Sequence, residues 1–148
     1  MNREITPTEP ELSATMRHSS VLLSATRRGA RLARRLTVQQ LTEWQRPFGA
    51  AEQITAELAS NAVLHGRLPG RSFRLTLTLH TSGTLRIAVA DPRPEWEPRT
   101  SGSRDPAAES GRGLLIVEAL ADRWGVDFSV AQQKSVWAEL DLCDFRDG

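Results

Sequence analysis

The sequence predicts an α+β chain, and three observations carry that prediction. Residues 26–44 and 50–64 hold apolar side chains at helical spacing, residues 73–80 and 85–90 alternate apolar and polar without a fault, and Gly83 supplies a turn between the alternating runs. Two helices thus precede an antiparallel hairpin that has one apolar face and one more polar face.

Composition narrows the class. A chain of 148 residues with 39% hydrophobic and 25% charged side chains reads as one soluble globular domain that buries about two thirds of its unfolded surface. A net charge of +1 gives the molecule as a whole no electrostatic attraction to nucleic acid. Cys143 is the single cysteine, which excludes an internal disulfide and a cysteine-based zinc site. No stretch approaches the ~18 consecutive apolar residues of a membrane span, and the N-terminus lacks the apolar centre of a signal peptide. The expected compartment is the cytoplasm.

In chain order, residues 1–17 are polar with two prolines and read as a flexible N-terminal arm, leaving 18–148 as a single domain. Val21, Leu22 and Leu23 predict a short strand at the edge of a sheet. Ala30, Ala33, Leu36, Leu41 and Trp44 then fit a helix surrounded by Arg27, Arg28, Arg31, Arg34 and Arg35. With no helix-turn-helix partner and no paired aromatics, that arginine cluster reads as a solvated face and not as a DNA-binding surface. Pro47 breaks the chain and admits a second helix, on which Ile54, Leu58 and Ala62 recur every four residues until Gly66 and Pro69-Gly70 stop it. The hairpin follows. Residues 92–111 carry four prolines and many charges with almost no periodicity, which is the character of a lid or binding loop. Gly111-Arg112-Gly113 opens a third helical pattern through Leu114, Val117, Leu120, Ala121 and Trp124, and two strands near 126–130 and 135–142 close the chain.

Within this frame a few polar residues stand in unusual places. Glu57 and Asn61 lie one helical turn apart at the margin of the apolar stripe, so an acid and an amide are aimed toward the core. A salt bridge, a satisfied hydrogen bond or a shared cavity would each account for them. Asp91 shares the parity of Leu85, Ile87 and Val89, so its carboxylate points to the covered face of the hairpin. Glycines at a helix start leave backbone amides free to meet an anion, and phosphate is the natural guest at Gly111–Gly113.

The succession E-x-x-x-N-A-x-x-H-G on a helix, a strand ending in Asp, a long loop, and G-x-G-L opening a helix resembles the GHKL ATP-binding domain of gyrase, histidine kinases and MutL. Within that group it is most similar to the compact bacterial anti-sigma factor serine/threonine kinases, over roughly residues 20–142. The resemblance implies the Bergerat fold: an α+β two-layer sandwich whose mixed, mostly antiparallel sheet is covered on one face by about three helices. It implies ATP and Mg2+ as cofactors, with Asn61 binding the metal and Glu57 as the general base. Asp91 would accept a hydrogen bond from the adenine amino group, while Gly111, Arg112, Gly113 and Leu114 would present amides to the phosphates. His65 and Gly66 complete the helix end, His65 in a structural role. Two departures stand out: Arg93, between Pro92 and Pro94, occupies a position where the family places glycine, and Gln133, Lys134 and Ser135 stand where a Gly-Thr pair is usual. Ser135 is the candidate replacement hydroxyl.

The function so implied is an anti-sigma factor with serine/threonine protein kinase activity on an anti-anti-sigma partner of the STAS type, with a sigma factor as second partner. Membrane and direct nucleic-acid partners are not expected, and a homodimer is left open. The alternative is a nucleotide-gated protein-binding module with little or no catalysis. A detached histidine kinase domain is disfavoured, because His18 lies too near the N-terminus for a dimerisation hairpin.

Overall fold

In the computed structural model, residues 16–65, 71–91, 114–128 and 134–142 are described. Their order is β1 (Met16–Ser24), α1 (Arg27–Glu43), α2 (Gly49–His65), β2 (Ser72–His80), β3 (Thr84–Asp91), α3 at 114–120, β4 (Arg123–Phe128) and β5 (Lys134–Asp141). The strands form one five-stranded sheet in the order β1-β2-β3-β5-β4, and each neighbouring pair is antiparallel. The α+β layering is as the sequence implies, although no parallel pair occurs among the described strands. No helix among these residues is long and apolar enough to cross a membrane.

Alternation decides which face is covered. Phe73, Leu75, Leu77 and Leu79 of β2 and Leu85, Ile87 and Val89 of β3 are buried, and Val136, Ala138 and Leu140 of β5 join them. The helices lay Ala33, Leu41, Ile54, Leu58, Ala62 and Val117 against this surface. At about 25 cal/mol per Å² of apolar area removed from water, this single cluster is the main source of stability.

The helices are positioned by local chemistry. Thr26 caps α1 by accepting a hydrogen bond from the Gly29 amide at 3.0 Å. Gly29 is required there, because a Cβ would lie 1.8 Å from the carbonyl oxygen of Ser24, so α1 starts directly on the end of β1. After Trp44 the chain leaves the helix through Gln45, whose φ of 59° is left-handed, shortly before Pro47. Between α1 and α2 the buried hydroxyls of Thr37 and Thr55 meet at 3.1 Å, and Arg34 pairs with Glu52 at 3.4 Å.

Some element boundaries differ from the sequence reading. β1 begins at Met16, so Met16 and Arg17 of the segment read as an arm pair with His80 and Leu79. The remainder of that arm lies outside the described residues. Trp124, read as the last position of the third helix, belongs to β4. β4 is described over Arg123–Phe128 and so starts three residues before the 126–130 read from the sequence, of which 129–130 lie outside the described residues. Leu142, read as the last residue of the closing strand, lies one residue beyond β5.

Candidate functional site

Helix α2 has two working flanks. Thr55 and Ala59 are buried on the side that meets α1, and at 100° per residue Glu57 and Asn61 fall on the opposite side, where both are half-buried. The turn between Leu58 and Ala62, both buried, holds Asn61 close to the sheet.

Asp91 is the last residue of β3 and is 8% exposed, at the end of a run of inward aliphatic side chains. It is the only acidic residue among the buried polar and charged ones described. Asn61 and Asp91 line one small pocket of about 20 Å³ together with Leu58, Ala62, Val89, Val136 and Lys134. That volume is room for about one water. The walls expected from residues 92–113 lie outside the described residues, as do Gly66 and the side chain of His65.

The sequence-derived candidates are therefore only partly gathered. Asn61 and Asp91 are brought together. Glu57 occupies the same helix flank one turn earlier but does not line the pocket. Leu114 is half-buried at the first position of α3. Gly111, Arg112 and Gly113 lie outside the described residues. Ser135 is corrected: it pairs with Ala90, one residue out of phase with Asp91, so its side chain points to the uncovered face and not to the pocket.

The residue opposite Asp91 is Lys134, on the covered face and in the pocket wall. Sequence reasoning did not single it out as a site residue. Its signal was its standing as the only lysine in the chain, but its alignment with Asp91 depends on a pairing of β3 with β5 that sequence alone does not reveal.

Chemically, the pocket offers a carboxylate acceptor set among aliphatic side chains, an amide that can accept or donate, and an ammonium donor. A purine edge with an amino donor beside a ring-nitrogen acceptor fits that set. No group of three or more His, Cys, Asp or Glu side chains is assembled for a metal among the described residues. The Asn61 amide oxygen suits one position on a hard cation whose other ligands are phosphate and water.

Comparison with known proteins bears on the family and the fold. Residues 12–139 match the sequence family described as the histidine kinase-like ATPase domain. An uncharacterized protein of Streptomyces coelicolor is 41% identical over 58 residues, 39% of this chain and 55% of that protein. Among solved structures, the RsbU and RsbW domains of Rv1364c from Mycobacterium tuberculosis superpose with a TM-score of 0.62 at 20% identity, over 85% of this chain and 32% of that one. A chain of the SiaB–SiaC complex from Pseudomonas aeruginosa superposes with a TM-score of 0.63 at 8% identity, over 93% and 97% of the two chains. The match therefore spans about half of the curated relative and a third of the first structure. At these identities the structural likenesses establish the fold, while the sequence match over most of the chain establishes the family. The chain belongs to the histidine kinase-like ATPase domain family.

Proposed function

We propose that this chain binds Mg-ATP at the Asn61–Asp91 pocket and transfers the γ-phosphoryl group to a serine or threonine of an anti-anti-sigma partner, as an anti-sigma factor kinase of the cytoplasm. The observation that carries the reading is the convergence of Asn61 and buried Asp91 on one pocket in a chain of this family. One of the superposing chains was solved in a complex, SiaB–SiaC, which is in keeping with a protein partner, and the sigma factor as second partner is part of the proposal.

Each residue has a distinct task. Asp91 accepts the purine amino hydrogen and thereby selects the base, an interaction strengthened by its aliphatic surroundings. Asn61 would hold the magnesium ion through its neutral amide oxygen, and that ion would supply positive charge to offset the phosphates. Glu57, one turn away and clear of the base pocket, takes the proton from the partner's hydroxyl as that oxygen bonds to the γ-phosphorus. The bond to the bridging oxygen breaks and ADP leaves. The family resemblance implies that Gly111, Arg112, Gly113 and Leu114 would offer amides to the phosphates, and of these only Leu114 is among the described residues.

A second reading draws on Lys134. An ammonium opposite Asp91 competes for the carboxylate that would read the base, which favours a catalytically weak, nucleotide-gated binding module. Calorimetry with Mg-ATP and Mg-ADP, run beside phosphotransfer to a STAS-type protein, separates the two. The kinase reading expects nucleotide binding and phosphoserine or phosphothreonine that disappears in Glu57→Gln while binding persists. Binding without any transfer supports the module, and transfer that survives Glu57→Gln removes Glu57 as the base.

A further inference from the structure

We propose that Lys134 is a second base-reading residue beside Asp91, and that the two together extend the site from adenine to guanine nucleotides. This inference rests on the nucleotide reading of the pocket and adds to it the class of base accepted.

The chain places a single compact cation at this point. Lys134 is its only lysine, and the other basic side chains apart from histidine are arginine. Lys134 opens β5, where antiparallel pairing with β3 sets it opposite Asp91. The residues of β5 in phase with it, Val136, Ala138 and Leu140, are buried, so its side chain leaves the strand on the covered face. Asp91 closes the inward run of β3 on that same face, and both residues line the pocket of about 20 Å³. Apart from Asn61, the other walls are the aliphatic side chains of Leu58, Ala62, Val89 and Val136.

The choice of cation is informative. Where charges only pair with one another, on the uncovered face, this chain sets Arg86 and Arg123 against Glu139 and Asp141. In the pocket it sets a lysine. A guanidinium is a planar fork, whereas an ammonium is a point donor on a flexible four-carbon stem. A pocket with room for about one water suits the point donor.

An ionised carboxylate only accepts hydrogen bonds, and an ammonium only donates them. A base edge that meets both must carry a donor beside an acceptor. Adenine carries its amino group between two ring-nitrogen acceptors, so it fits with the carboxylate on the amino group and the ammonium on a ring nitrogen. Guanine carries a carbonyl in place of that amino group, with two N–H donors next along the edge. It fits when slid by one position, with the ammonium on the carbonyl and the carboxylate on the N–H groups. Without the ammonium that carbonyl would sit against aliphatic walls with no donor, and as the stronger acceptor it loses more by this than a ring nitrogen does.

The test is calorimetric titration of the full chain and of Lys134→Met with Mg-ATP and Mg-GTP, each protein first shown to be folded by its melting curve. The wild type should bind Mg-GTP no more than about tenfold weaker than Mg-ATP. Lys134→Met should weaken Mg-GTP at least about tenfold more than it weakens Mg-ATP. That ratio, taken within one protein, is insensitive to general damage. A wild type that binds Mg-ATP and discriminates more strongly against Mg-GTP overturns the role of Lys134 and leaves the nucleotide reading standing. So does a variant that weakens both nucleotides equally, or neither. A wild type that binds neither nucleotide overturns the nucleotide reading itself, and this inference with it.

Discussion

The two faces of the sheet obey the same alternation and use charge in opposite ways. On the uncovered face Arg86 lies over the Trp137 ring at 4.3 Å and bonds Glu139 at 3.1 Å, while Arg123 bonds both Glu139 and Asp141. The hydrogen bond from Arg123, joined by that from Arg86, holds the Glu139 carboxyl below its ordinary range despite the opposing effect of burial. The hydrogen bond from Arg123, then that from Thr84, does the same for Asp141. In return the Arg123 guanidinium is pushed up, chiefly by Asp141 and next by Glu139. These are exposed or half-buried charges that satisfy one another at the edge of water, at little cost and for modest gain. On the covered face the inward positions of β3 are Leu85, Ile87 and Val89 until Asp91, which is buried. There the carboxylate lines a pocket together with Asn61 and Lys134, and on the proposed reading it serves a ligand and not the sheet.

Substitutions on the two faces sharpen or break this contrast. The largest effect on stability is expected at Ile87→Ala, which opens a cavity in the covered layer and should cost about 2–5 kcal/mol by denaturant unfolding. Gly125→Ala is next: the added Cβ would lie 2.8 Å from the Trp137 ring, and the strain should cost about 1–3 kcal/mol in the same measurement. Asp91→Asn keeps the shape and should change stability by less than about 1 kcal/mol. Its effect should fall instead on nucleotide affinity, by about tenfold or more.

The smallest effect belongs to Arg123→Met. Since the folded-state pKa values of Glu139 and Asp141 are lowered, the stability they contribute is present above the unfolded carboxylate range. It fades as pH falls below about 4.3, when both groups take up protons. Melting temperatures of Arg123→Met and the wild type should thus differ slightly at neutral pH and converge in acid. A loss at Arg123 equal to that at Ile87 would break the distinction between the faces.

How much of this was legible in the sequence depended on whether an element announces itself locally. β2 and β3 did, because strict alternation is a property of the strand alone, and the inward aim of Asp91 followed from its parity with Leu85, Ile87 and Val89. α2 was equally clear from Ile54, Leu58 and Ala62. β1 was visible only at Val21–Leu23, because Arg17, His18, Ser19 and Ser20 are extended by pairing with β2 and not by their own pattern. The exit from α3 was missed because Trp124 fits both a helical stripe and a strand facing Ala138, and only the tertiary pairing decides. In the site, Asn61 and Asp91 were readable as inward-facing residues. The choice between Lys134 and Ser135 was not, since it rests on a register set between distant strands.

The most direct measurement of the central claim is calorimetric titration of the full chain with Mg-ATP, repeated on the Asp91→Asn variant under conditions where both are folded. A wild type that binds with one-to-one stoichiometry, and a variant weakened about tenfold or more, would agree with a pocket in which Asp91 reads the purine. Equal affinities in the two proteins, or no heat of binding in the wild type at millimolar nucleotide, would contradict it.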